Sequence, residues 1–295
     1  MRTRDGLDLV LLAAIWGASF LFMRIAAPAF GPVALAFVRV AGAALMLLPL
    51  LAWRGELGTL QKHWRPLLLV GITNSALPFI CFGYATLSIT AGLASIFNAA
   101  TPLTSALFAW AWLKEPMTRW RTAGLALGFF GVLGLAGNKA GVRGEGIDLP
   151  VLLAIVACLL GTLLYGFSAS FTKRRLTGVS AMTLATGSQF AAAIALAPLA
   201  VVTWPAAMPG ALPWGAAAAS ALLSSGLAYI LYFRLIAHVG PTNAASVTFL
   251  IPVFAVVWGA WLLDEAITPA MVIGGAVIVA GTALVLGLLP RPKRA

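Results

Sequence analysis

From residue 7 to residue 289 the chain is a succession of apolar runs of roughly twenty residues, separated by short connectors rich in Pro, Gly or charge. A helix needs ~20 apolar residues to cross ~30 Å of hydrocarbon. In lipid its backbone polar groups must be paired internally. The runs therefore predict an all-α membrane protein with ten spans, at 7–27, 32–53, 66–87, 91–113, 120–137, 149–171, 180–202, 214–237, 243–263 and 270–289. Composition agrees: 61% of the residues are hydrophobic and 9% charged, where a soluble domain carries ~25% charged residues. The basic start MRTR followed by LDLVLLAAIWGA has the shape of a signal peptide. The apolar run continues to Ala29, however, and is read as a membrane helix.

The net charge of +11 is no nucleic-acid footprint, because the bases fall in short clusters between apolar runs. With the N-terminus in the cytoplasm, Arg2, Arg4, Arg54, Lys62, Arg65, Lys114, Arg119, Arg121, Lys173, Arg174, Arg175, Arg234, Arg291, Lys293 and Arg294 lie on the cytoplasmic side. Only Lys139 and Arg143 fall outside, while Arg24 and Arg39 sit within spans. Such an imbalance sets orientation and predicts both termini in the cytoplasm.

The chain also repeats itself. Pro102–Gly131 aligns without a gap with Pro252–Gly281 at an offset of 150, matching Leu113/Leu263, Glu115/Glu265, Thr118/Thr268, Gly124/Gly274 and Ala126/Ala276. WGASFLFMR (Trp16–Arg24) answers YGFSASFTK (Tyr165–Lys173) at an offset of 149. This is the signature of a tandem duplication. It divides the chain into a first five-helix repeat at 1–140, a second at 146–290 and a basic tail at 291–295, with a Gly-rich seam at 138–148. Five is odd, so the second repeat enters the membrane from the opposite side. Two inverted repeats then surround a central cavity, the arrangement that underlies alternating access.

Polar groups at membrane depth are costly unless they pair or line a wet cavity, so their positions are informative. Span 3 puts Asn74, Pro78 and Phe82 on one face with Phe79 alongside. Span 4 puts Ser95, Asn98, Pro102 and Ser105 at spacings of three to four, again one stripe. Span 8 offers Ser224, Ser225, Tyr229 and Tyr232, and span 9 offers Ser246, Phe249 and Pro252. These four spans are the expected cavity walls, joined by Trp16 and Tyr165 from spans 1 and 6. Such small polar residues also serve simple helix packing through interhelical hydrogen bonds. Pro78, Pro102 and Pro252 each remove a backbone donor and act either as hinges or as tolerated kinks. Arg39 in span 2 stands opposite Gln189 in span 7 at an offset of 150. It either anchors a substrate carboxylate or reaches carbonyls and headgroups near the outer interface, and the second, structural role is preferred on sequence. Trp53, Trp64, Trp120, Trp204 and Trp214 near span ends read as interfacial anchors.

Other chemistries lack their residues. No carboxylate sits in mid-span, no P-loop occurs, and His63 and His238 fall in connectors. Cys81 and Cys158 lie in apolar runs without CxxC spacing and read as small hydrophobes. No metal, cofactor or catalytic residue is expected.

The ten spans in two halves, WGASF near the start, the membrane Arg in span 2 and the Ser, Pro and Leu-x-Glu pattern of spans 4 and 9 together resemble the EamA-type branch of the drug/metabolite transporter superfamily. The resemblance implies a bacterial inner-membrane carrier, commonly an exporter of amino acids or related metabolites, with spans 3, 4, 8 and 9 around the substrate. It points to the stripes around Ser95–Pro102 and Ser246–Pro252. The halves differ in detail: Leu235 to Ser246 is three residues longer than Leu87 to Ser95, and Asn98 has no amide partner in span 9. The expected partners are a small-molecule substrate and the lipid bilayer. The leading expectation is a secondary exporter of amino acids with apolar or aromatic side chains, with Phe79, Phe82, Tyr229 and Phe249 holding the side chain and Asn74, Asn98, Ser95 and Ser246 the polar end. The alternatives are export of nucleobases, sugars or cationic drugs, a membrane-embedded lipid-modifying enzyme, or a scaffold.

Overall fold

The computed structural model of the protein describes residues 3–137, 148–244 and 246–288. The seam at 138–147, with Lys139 and Arg143, and the tail at 291–295 lie outside the described residues. The described chain is helical: α1 (Thr3–Phe30), α2 (Pro32–Trp53), α3 (Leu57–Lys62), α4 (Trp64–Gly71), α5 (Leu77–Ala85), α6 (Ala91–Asn98), α7 (Thr101–Leu113), α8 (Arg119–Ala136), α9 (Leu149–Arg175), α10 (Ala181–Val202), α11 (Ala211–Ala219), α12 (Ala228–Ala244), α13 (Val247–Leu263) and α14 (Pro269–Leu286). π-helical segments at Ile72–Ala76 and Ser220–Leu227 join α4 to α5 and α11 to α12.

Among the described residues, eight helices are long and apolar enough to cross a membrane, some of them running through these joins, and Val247–Leu263 is a shorter apolar helix. The fifth run, 120–137, became α8, whose first turn holds Arg119 and Arg121 and so leaves a shorter apolar stretch. Large apolar side chains such as Leu45, Phe130, Val202 and Trp261 are exposed on the outside of the bundle, a surface suited to lipid and not to water.

Prolines explain two of the interruptions. Pro102 has no N–H for the carbonyl of Asn98, so the helix breaks at Ala99–Ala100. Thr101 Oγ1 donates to the Asn98 carbonyl at 2.7 Å, and Thr282 Oγ1 from α14 donates to that of Ala99 at 3.1 Å. Pro78 likewise withholds a donor from the carbonyl of Asn74, and the ladder widens to π spacing at that point. Pro252 lies within α13 without breaking it. In α12, Gly240 at φ 80° and ψ 162° puts a kink ahead of Pro241.

The packing recurs between the halves. α1 packs on α13 as α9 packs on α7, and α2 and α10 pack together, as do α8 and α14. Close approach depends on glycine. A Cβ on Gly17 would meet Phe254 Cβ at 2.7 Å and Ala255 N at 2.9 Å; one on Gly166 would meet the Thr104 carbonyl carbon at 2.6 Å and Ser105 N at 2.8 Å. These contacts are the same pair at an offset of 149 and 150. The turns after α7 and α13 also match: Lys114 and Asp264 both adopt left-handed φ (59° and 53°), and the Thr118 and Thr268 side chains cap the helices that follow.

Candidate functional site

Inside the bundle lies a cavity of about 340 Å³. Helix α1 contributes Trp16, Ser19, Phe20 and Met23, and α2 contributes Arg39. The α4–α5 helix supplies Asn74, Phe79 and Phe82, the broken α6–α7 helix Asn98, Thr101 and Ser105, and α9 Tyr165 and Ala169. Ser224 and Ser225 come from the second π segment, Tyr229 and Tyr232 from α12, and Val247, Thr248 and Ile251 from α13.

The rings form two matched groups. Trp16 lies edge-on to Tyr229 at 6.5 Å and against Tyr232 at 5.2 Å, while Tyr165 stacks on Phe82 at 6.1 Å, with Phe20 edge-on to Phe82 at 5.7 Å. Trp16 Nε1 donates to the Ser224 carbonyl at 3.1 Å and Ser224 Oγ to that of Ile15 at 3.2 Å, which fixes the indole and ties α1 to the π segment. Aromatic faces and small polar groups thus share the cavity wall, and among the described residues no carboxylate lines it.

Of the residues singled out on sequence, Trp16, Asn74, Phe79, Phe82, Asn98, Tyr165 and Tyr229 come together in this wall. Ser95, Ser246 and Phe249 are not in it; Ser95 is fully buried and its hydroxyl donates to the Gly92 carbonyl of its own helix at 2.7 Å. Sequence reasoning took the walls from spans 3, 4, 8 and 9 with Trp16 and Tyr165 alone from spans 1 and 6, so it missed Ser19, Phe20 and Met23 of α1 and Ala169 of α9. Tyr232 was legible as the residue one turn beyond Tyr229. Cys81 and Cys158 are buried free thiols.

Arg39 is 6% exposed. Its contacts are the Ser225 hydroxyl, Met23 Sδ and the face of Phe79, whose centroid is 3.8 Å from Cζ. Gln189 is fully buried, outside the cavity wall, and its Nε2 donates to Ser75 Oγ at 3.0 Å.

Two glutamates mark opposite ends of the α6–α7 helix. Beyond α7, Glu115 pairs with Lys173 at 2.6 Å and Arg121 at 3.3 Å. The Lys173 hydrogen bond, with Arg121 adding to it, holds this carboxyl below the usual carboxylate range. Beyond α13, Glu265 accepts the Ala91 N–H at 3.0 and 3.1 Å and lies 3.5 Å from Arg24 Nε. Arg24 and Lys173 are the paired bases of the repeat. In the connector after α2, Glu56 accepts from the Ser180 and Thr183 hydroxyls at the start of α10, the latter at 2.7 Å, and the two bonds lower its pKa.

These features define a multi-pass membrane protein with a solute-sized cavity inside its helix bundle. The chain belongs to the EamA-like transporter family, whose model matches residues 6–137 and again 152–287. It is 28% identical over 96% of its length to the uncharacterized transporter YvbV of Bacillus subtilis, covering 92% of that protein. It is 27% identical to the uncharacterized inner membrane transporter YedA of Escherichia coli, over 94% of this chain and 89% of that one. A probable terminal-alkyne amino-acid exporter of Streptantibioticus cattleyicolor is also 27% identical, over 94% of this chain and 91% of its own length. One solved crystal structure shares the fold at a TM-score of 0.66, with 19% identity and 96% of each chain covered.

Proposed function

We propose that this protein is a secondary carrier that exports small organic solutes, amino acids with apolar or aromatic side chains foremost, across a bacterial inner membrane by alternating access. Its ten spans form two inverted five-helix repeats, and both termini lie in the cytoplasm. The observation that carries the reading is the cavity itself: a ring-lined chamber at the meeting of two halves whose helix contacts recur at offsets of 149 and 150. Trp16, Phe79, Phe82, Tyr165 and Tyr229 hold the apolar body of the solute, and Asn74 and Asn98, amides with donors and acceptors to spare, hold its polar end. Pro78 and Pro102, where the wall helices are interrupted, and Pro252, within the continuous α13, are the hinges of this reading. The relative named as an amino-acid exporter supports the substrate class, and the lack of a carboxylate in the wall argues against cationic drugs. Flux of radiolabelled phenylalanine, leucine, uracil and glucose from proteoliposomes, with and without an imposed pH gradient, tests it. Saturable amino-acid flux is expected, and its absence beside flux of another class would overturn the substrate assignment.

A further inference from the structure

Arg39 carries more charge than its structural task requires. Its Nε–H donates to Ser225 Oγ at 2.8 Å and one Nη1 N–H faces Met23 Sδ at 3.8 Å. A guanidinium has five N–H donors, so three remain, and among the described residues no carboxylate lies within 4 Å of them. The fold contains its own control for this side chain. At an offset of 150, Gln189 makes the corresponding hydrogen bond to Ser75, across the corresponding pair of helices. A neutral amide is enough to tie the helices there. An ionised side chain at membrane depth is costly, and Arg39 lines the cavity while Gln189, which also bonds Tyr229, does not.

We propose that Arg39 is the carboxylate-binding group of this cavity, and that the site takes solutes with a carboxylate on an apolar or aromatic body in preference to the matching amides and amines. Phe79 covers one face of the guanidinium and Ser225 fixes its rotation. Its remaining edge is left for the paired N–H donation that suits a carboxylate. An ammonium group on the same solute meets ring faces and neutral amides, because no acid lines the wall. The inference rests on reading this cavity as the solute site, but not on the direction or energetics of transport.

The test is thermal stabilisation of the purified full-length protein in detergent by four probes: 3-phenylpropionate, phenylalanine, phenylalanine amide and phenethylamine. A ligand that binds the folded state stabilises it by RT ln(1 + L/Kd), with L its free concentration, so the midpoint rises with the ratio of its concentration to Kd. The wild type is expected to need about 10- to 100-fold less of either carboxylate than of the amide or amine. Arg39→Gln installs the residue the sister position already uses, so the helix tie is retained; it is expected to abolish the preference while leaving phenethylamine unchanged. Arg39→Lys, which keeps the charge without the fork, is expected to restore part of it. The proposal is overturned if the amide or amine matches the carboxylates on wild type, if Arg39→Gln keeps the preference, or if neither carboxylate stabilises the protein. Should Arg39→Gln fail to fold, the wild-type comparison decides alone. Carboxylate binding that depends on Arg39 without amino-acid flux removes the export reading and leaves this site. Flux of phenethylamine as fast as phenylalanine, unchanged by Arg39→Gln, does the reverse.

Discussion

Glu115 and Glu265 occupy the same place in the two halves, yet truncating them should have very different consequences. Glu265 is surrounded: its side chain is 10% exposed, that of Arg24 16%, and both carboxylate oxygens take the N–H of Ala91, the first residue of α6. Thr90 already caps the N–H of Leu93, so the carboxylate satisfies a second of the orphan donors that open a helix, and its charge suits the positive end of the helix dipole. Glu265→Ala removes a charge-assisted hydrogen bond worth ~1.5–3 kcal/mol and leaves a buried donor behind. With the loss of the nearby Arg24 pairing, the total is about 2–4 kcal/mol. Glu115 pairs with a lysine whose side chain is 68% exposed; after solvent screening such a pair contributes ~0.2–1 kcal/mol. The expected gap is about 1–4 kcal/mol, or roughly 5- to 500-fold in the unfolding constant. Reversible unfolding in mixed detergent–SDS micelles, followed by tryptophan fluorescence, measures both variants. The Glu115→Ala effect should shrink in high salt and the Glu265→Ala effect should persist. Equal losses from the two variants would refute the argument, as would a Glu265→Ala effect that salt removes.

Two further perturbations test other parts of the fold. Gly17→Val and Gly166→Val each place a Cβ within 2.7 Å of the facing helix; overpacking of this kind costs ~1–3 kcal/mol and should lower the folded fraction on size-exclusion chromatography, whereas Gly134→Ala, with nothing within 4 Å, should not. Glu56 has a folded-state pKa below its unfolded value near 4.5 because the Ser180 and Thr183 hydroxyls bond its charged form. Its stabilisation is therefore present above that value and lost as pH falls through the folded pKa; Glu56→Gln should lie below wild type in unfolding midpoint at pH 7 and converge with it under acid.

The sequence carried the helical runs, eight of which are long and apolar enough to cross a membrane, since twenty apolar residues and a charged or Gly-Pro connector leave few alternatives. It marked Pro102 and Pro78 only as hinges or tolerated kinks; a helix break at Ala99–Ala100 precedes the first in the structure and a π segment the second. It gave no sign of the second π segment at Ser220–Leu227, where no proline forces the ladder open. The site was legible where a polar or aromatic residue at depth stood out, as with Asn74, Asn98 and Tyr229. Ser95 was expected beside Asn98 on one stripe, yet it lies outside the cavity wall although the two share the unbroken helix α6. Asn98 beside the break reaches the cavity, but Ser95, a turn earlier, bonds its own backbone. The share of the wall supplied by α1 was hidden for another reason: a helix apolar all round shows no face to read. Glycine spacing held the missing clue, since Gly17 and Gly166 bring α1 and α9 against α13 and α7 and so turn Trp16 and Tyr165 inward.

What the halves share and where they differ follows one rule. Backbone-level features recur: the glycine contacts of α1 and α9, the left-handed residues Lys114 and Asp264, and the caps at Thr118 and Thr268. These set helix separation and turn geometry, which any two copies of one fold must hold in common. The side chains at the cavity and at the helix ends diverge: Trp16 against Tyr165, Arg39 against Gln189, and a buried Glu265 tie against an exposed Glu115 pair. A solute with a polar end and an apolar end cannot present the same group to both halves of a pseudo-symmetric chamber. A duplicated wall that takes such a solute has to lose its symmetry at the positions that touch it. Arg39 in the wall, with the neutral Gln189 outside it at the sister position, is one such departure from symmetry.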